Sequence, residues 1–274
     1  MSTLRRKIGC CTWIFGDEPL ASIVRRARRA QLDGIELHGR WRHSDPGDIA
    51  DILGNAELDV FSPTPTDSDP SSADPAERES SLNEYFAIVD FAAALGGPIV
   101  SFHGRVGRVS YDQDKALEDA HLLTAARKVC ARAAAANVPV VFELLNRYET
   151  HQVQNVEAGL AFLAQANAAN LKLLADSYHM NIEEVDPAGA LARAGNNLGL
   201  YHAADSNRGA IGDGHIDFSS QIETLDEIAY IGPLILETTA PGPNPFTPNK
   251  GTGFVDTVED QLARSVTALH NLSA

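Results

Sequence analysis

The sequence predicts a (β/α)8 barrel. Eight short apolar, β-branched runs alternate with helix-period segments along 274 residues, of which 44% are hydrophobic. That length and apolar content suit one core enclosed by eight strand–helix units. A doubly wound open sheet would alternate in the same way, but no GxGxxG follows the first run, so its nucleotide fingerprint is missing. No interdomain linker or short-period repeat breaks the pattern, and residues 1–274 read as a single TIM-barrel domain with its site at the C-terminal face.

The first strand is expected near Lys7–Phe15, and an amphipathic helix over Pro19–Leu32 follows it. Arg25, Arg26, Arg28 and Arg29 lie in that helix and read as a solvated face, because no other segment extends the basic patch. Strands two, three and four fall near Gly34–Gly39, Asp59–Thr64 and Pro98–Gly104. After the third runs TPTDSDPSSADPA (Thr64–Ala76), which reads either as a binding loop or as a disordered surface loop. A long helix over Asp112–Ala136 leads to strand five near Pro139–Leu145, and a shorter one over Val156–Ala166 leads to strand six near Leu171–Tyr178. Strand seven is expected near Leu198–Ala204, and Asp217 caps the helix that begins FSSQIETL. Strand eight, near Pro233–Thr238, opens into the Pro- and Gly-rich APGPNPFTPNKGTG (Ala240–Gly253), a second candidate lid, before a closing helix over Asp256–Asn271.

The net charge of −15 argues against nucleic acid and anionic membrane as partners, since its field repels phosphates. Three cysteines, two of them adjacent, form neither a disulfide framework nor a CxxC pair, and they fit a reducing cytoplasm. The apolar run behind MSTLRRK is short and lacks a small-residue cleavage pattern, so no signal peptide is expected, and no segment is long enough to span a membrane.

Polar residues embedded in the last four strands carry the chemistry. Glu143 interrupts VVFELL, Asp176 interrupts LKLLADSYHMN, His202 lies in LGLYHAADSNR and Glu237 lies in PLILETT. Each is costly to bury alone. In a barrel, residues at these positions converge at the C-terminal mouth. Three carboxylates and one imidazole, without a thiolate, suit one hard divalent cation: Mn²⁺ first, with Mg²⁺ or Co²⁺ as alternatives. Trp13 and Phe15 end strand one and Trp41 follows strand two, positions from which aromatic rings can wall a pocket. His38 and His103 end strands two and four and are candidate substrate contacts. GAIGDGH (Gly209–His215) has the look of a Gly-rich phosphate loop, against which stand its own Asp213 and the acidic chain.

ELLNRYET, DSYHMNIEE, HAADSNRGAIGDGHIDF and ILET together resemble the sugar isomerase/epimerase family with a xylose-isomerase-like barrel, and within it the D-tagatose 3-epimerase and D-psicose 3-epimerase group. GIELHG (Gly34–Gly39) is a fainter echo in the N-terminal half. The resemblance implies that Glu143, Asp176, His202 and Glu237 bind the metal. It also implies that Glu149, His179 and Arg208 hold the O1–O2 end of a sugar. Position agrees: Glu149 and Arg208 fall in loops after strands, and an arginine there offers two aligned donors. A rim ion pair with Asp205 is the plainer role for Arg208. The expected chemistry is proton abstraction beside a ketone through a cis-enediolate, with Glu143 and Glu237 as the acid/base pair on two faces of the carbon. The substrate would be a free sugar or related polyhydroxy ketone, and the sequence allows a homo-oligomer (dimer or tetramer).

The chain departs from the epimerases at DSYHMN, where they read DTFHMN, and in its proline-rich stretch after strand eight. Inosose isomerases or dehydratases and hydroxypyruvate isomerases share the same metal logic and stay open as alternatives. An abasic-site endonuclease would need more histidines and a basic groove. A non-catalytic binding subunit would need no metal.

Overall fold

Apolar strands buried on both faces need helices outside and packed side chains within, and the chain meets both needs in sequence order. A computed structural model describes residues 6–66, 68–242, 244 and 246–272. In chain order the elements are β1 (Ile8–Cys11), α1 (Leu20–Arg29), β2 (Gly34–Leu37), α2 (Pro46–Gly54), β3 (Asp59–Pro63), α3 (Pro75–Ala94), β4 (Val100–Phe102) and α4 (Lys115–Ala135). The second half runs β5 (Val140–Glu143), α5 (Val156–Ala166), β6 (Leu171–Asp176), α6 (Ser177–Glu183), α7 (Pro187–Ala194), β7 (Leu198–Ala203), α8 (Phe218–Glu227), β8 (Leu234–Leu236) and α9 (Phe254–Leu272).

All pairings are parallel, in the order β3-β2-β1-β8-β7-β6-β5-β4. Between the end strands β3 and β4, the Ile99 N–H donates to the Phe61 carbonyl at 3.2 Å, so the barrel is nearly closed. Small residues make room inside it. A Cβ on Gly9 or on Gly34 would lie 2.6 Å from the Phe61 ring, which those two glycines accommodate.

Caps explain most helix starts. Asp45, Asp74, Asp114, Asn155, Asp186 and Asp217 each accept from a backbone N–H in the first turn that follows. The strands are shorter than the apolar runs suggest. After Cys11 the chain turns into a 3-10 helix at Trp13–Phe15, and β6 stops at Asp176 because its side chain caps α6 through the Tyr178 N–H. Two basic residues of α1 are ion-paired to the last helix: Arg26 bonds Asp256 and Glu259, and Arg29 bonds Glu259.

The stretch after β3 is an ordered part of the fold, since Ser68, Asp69, Ser71 and Ser72 are buried. Asp67 of that stretch, Pro243 and Pro245 of the loop after β8, and residues 1–5 of the basic N-terminus lie outside the described residues. Among the described residues no helix is long and apolar enough to cross a membrane.

Candidate metal centre and its pocket

Glu143 is the last residue of β5, Asp176 the last of β6, His202 lies within β7, and Glu237 follows β8 by one residue. Neighbouring strands in register bring them together, with Asp176 beside His202 and His202 beside Ile235. One ligand atom from each of the four lies within 4.8 Å of the others. His202 Nδ1 is buried without a hydrogen-bond partner, 3.8 Å from Glu143 Oε1 and 3.7 Å from Glu237 Oε2. An orphaned nitrogen facing clustered carboxylate oxygens is the arrangement a cation completes.

The electrostatics show the same need. Burial, and then the neighbouring Glu237 and Asp176, push Glu143 well above the usual carboxylate range. Burial also raises Asp176, to about 7, although Arg208 opposes it. Burial works against ionisation of Glu237 too, but there Arg208 and His202 outweigh it and hold the carboxyl well below its ordinary value. Three acids and a lone imidazole nitrogen therefore fit a hard divalent ion.

A sequence profile for the xylose isomerase-like TIM barrel matches residues 24–258. The chain belongs to that family. It is 30% identical to the L-ribulose 3-epimerase of Mesorhizobium japonicum over 245 residues, 85% of this chain and 81% of that protein. It is 33% identical to the ketose 3-epimerase of Arthrobacter globiformis over 250 residues, 85% and 83% of the two. Among solved structures, the D-allulose 3-epimerase of Methylomonas sp. in complex with D-allulose superposes with a TM-score of 0.84 at 26% identity, covering 98% of each chain. The chain is an isomerase-type enzyme of the sugar-epimerase kind.

In this member of the xylose isomerase-like family, Glu143, His202 and Glu237 open into a cavity of ≈ 530 Å³, with Asp176 buried behind them. Glu149, His179, Arg208, Trp13 and His103 all line it. Arg208 does not pair with Asp205; its guanidinium bonds Glu237 and, at 3.2 Å, Asp176, and stacks 4.1 Å over the Tyr178 ring. His179 Nδ1 accepts from the Asn146 amide side chain at 2.7 Å, which leaves Nε2 toward Asp176 Oδ2 at 3.7 Å. Burial and Arg208 depress His179 well below the ordinary histidine value, so it is neutral. The Trp13 indole N–H donates to Glu237 Oε1 at 2.8 Å, so this ring orients a carboxylate as well as lining the cavity. Phe15 and Trp41 do neither: Phe15 is buried in the core and Trp41 packs under Arg40, 4.8 Å from its guanidinium. His38 reaches the cavity, and so do Thr64 and Thr66 from the first candidate lid and Phe246 and Pro248 from the second.

Two residues escape a reading of the sequence. Asn146 bonds His179 and, at 3.4 Å, Glu149, so it fixes both predicted sugar contacts. Glu36, buried inside GIEL, carries the signal that singled out Glu143, an acid within an apolar strand, and faces His202. Most amides of the Gly209–His215 loop are engaged within the protein: Gly209 by Asn207, Ile211 by Ser265, Gly212 by Asp205, Asp213 by the Ala210 carbonyl and His215 by Ser206, while the Asp213 side chain pairs with Arg264.

Proposed function

We propose that this enzyme epimerises C3 of a free ketose, with Mn²⁺ as its cofactor. The observation that supports it is the meeting of Glu143 and Glu237, from different sectors of the barrel, at one buried point beside His202 Nδ1 and Asp176. A divalent cation held by these four residues supplies Lewis-acid polarisation of the ketose oxygens. One of the two glutamates takes the C3 proton as a carboxylate, a cis-enediolate forms, and the other, as a carboxylic acid, returns a proton from the opposite face, so that C3 inverts. Trp13 and Arg208 fix the Glu237 carboxylate between them. Arg208, neutral His179 and Glu149 bind the O1–O2 end, Arg208 through aligned donors. The occupied amides of the Gly209–His215 loop favour an unphosphorylated sugar. Free, buried Cys10, Cys11 and Cys130 fit a reducing, cytoplasmic setting.

The test is turnover of D-psicose and L-ribulose in D₂O with added Mn²⁺. Product should carry solvent deuterium at C3, and Glu143→Gln and Glu237→Gln should each abolish epimerisation. Product free of deuterium would remove the two-glutamate mechanism. No turnover of any free ketose would remove the substrate class.

A further inference from the structure

We propose that Glu36 is a positioning residue that orients His202 and sets its tautomer for metal binding, an inference that rests on the metal reading above. Glu36 belongs to β2, in the half of the chain that supplies none of the four ligands. Its carboxyl is 1% exposed and is met by Ser62 Oγ from β3, by Cys11 Sγ from β1 at 3.2 Å, and by His202 Nε2 from β7 at 3.2 Å. β2 and β7 are not neighbours in the sheet; β1 and β8 lie between them. The carboxyl therefore reaches across the barrel interior to one ring nitrogen.

The two imidazole nitrogens have opposite surroundings. Nε2 faces a carboxyl oxygen and so carries the ring hydrogen. Nδ1 is the buried nitrogen without a partner, and it faces Glu143 and Glu237. A neutral imidazole protonated at Nε2 has its lone pair on Nδ1, where the cation would sit. A carboxyl on the far nitrogen fixes the plane of the ring and makes the near nitrogen a better donor. Ser62 donates to Oε2, the oxygen that also faces His202, and Cys11 donates to Oε1, so the carboxyl is itself held in place. A merely structural role would ask only that Glu36 find donors, and two neighbouring strands already provide them.

The experiment titrates the metal-stripped full chain with Mn²⁺, following free Mn²⁺ by electron paramagnetic resonance. Arms are wild type, Glu36→Gln, Ser62→Ala and His202→Ala. Glu36→Gln keeps shape and removes charge, and we expect Mn²⁺ affinity to fall by about 10- to 100-fold, the usual effect of losing such a partner. The visible absorption band of the Co²⁺-loaded variant should shift, a readout that fold alone does not move. Ser62→Ala should weaken Mn²⁺ in the same direction and by less, and it decides the matter if circular dichroism shows Glu36→Gln unfolded. Equal Mn²⁺ affinity in wild type and Glu36→Gln, or in Ser62→Ala where that arm decides, overturns the role of Glu36 and leaves the metal reading intact. Wild type that binds Mn²⁺ no better than His202→Ala overturns the metal reading, and this inference with it.

Discussion

Arg208 has φ 58°, in the left-handed region that a side chain adopts at some cost. The strain is held by the chain on both sides: its N–H donates to the Asp205 carbonyl at 2.8 Å, and its own carbonyl accepts from Thr239 at 2.7 Å. This conformation carries the guanidinium over Asp176 and Glu237. Arg208→Ala loses charge-assisted bonds worth about 1.5–3 kcal/mol, so kcat/KM on the true ketose should drop by about 10- to 100-fold. Unchanged kinetics would reduce Arg208 to a structural ion pair. His38 gives a pH prediction. Burial, then Arg40 and Arg42, lower it to about 4 from an ordinary 6.5. The unfolded chain thus binds a proton through the interval between those values that the fold does not, and stability falls as pH falls from 6.5 toward 4. Relative to His38→Gln, wild type should lose an extra ~1–2 kcal/mol of unfolding free energy between pH 7.5 and 5. Parallel denaturation curves for the two proteins would contradict the depressed value.

At the scale of elements, the loops on the C-terminal face are tied by one side chain. Arg108, after β4, bonds buried Asp69 and Ser71 of the loop after β3, and Glu118 of α4. Beside it the Gly107 N–H donates to the Glu149 carbonyl at 2.7 Å, so the same turn fixes the segment that carries Glu149, a proposed sugar contact. Arg108→Ala would leave Asp69 and Glu118 buried without their cation, at a cost of about 3–5 kcal/mol. We expect a large fall in the urea midpoint together with a higher KM for the ketose. A fall in stability with KM unchanged would separate the clamp from the site. None of this is legible in TPTDSDPSSADPA, because its partners lie some forty residues away and composition alone fits a disordered loop equally well. The ligand strands are legible for the opposite reason. An acid inside VVFELL or PLILETT has no local partner, so the sequence itself announces that something distant must meet it. Glu36 sends the same signal from GIEL. Its partners are the side chains of Ser62, Cys11 and His202, and strand order alone does not reveal contacts across a barrel interior.

Across the whole molecule, alternation of strand and helix was enough to read the barrel. The exact strand ends were not, since the 3-10 turn at Trp13–Phe15 and the cap by Asp176 depend on local hydrogen bonds. Those ends matter because they bring the four proposed ligands within reach of one another, where three acids meet and Arg208 and His202 offset them. Without a cation, the nearly closed barrel holds this repulsion at its centre, so metal should stabilise the entire fold and not only the mouth. A ligand that binds only the native state at 100 times its Kd adds about 2.7 kcal/mol, which for a chain of this size corresponds to roughly 5–10 °C in Tm. Wild type stripped with a chelator and then supplied with Mn²⁺ at that excess should show this rise in a thermal scan. Asp176→Asn and His202→Ala should show little of it and should lose metal by elemental analysis while remaining folded. Asp176→Asn also removes part of the repulsion, so its stripped form should melt no lower than stripped wild type. Full metal occupancy in both variants, or a wild-type Tm indifferent to Mn²⁺, would mean that the four residues are balanced by Arg208 alone and that the centre binds no metal.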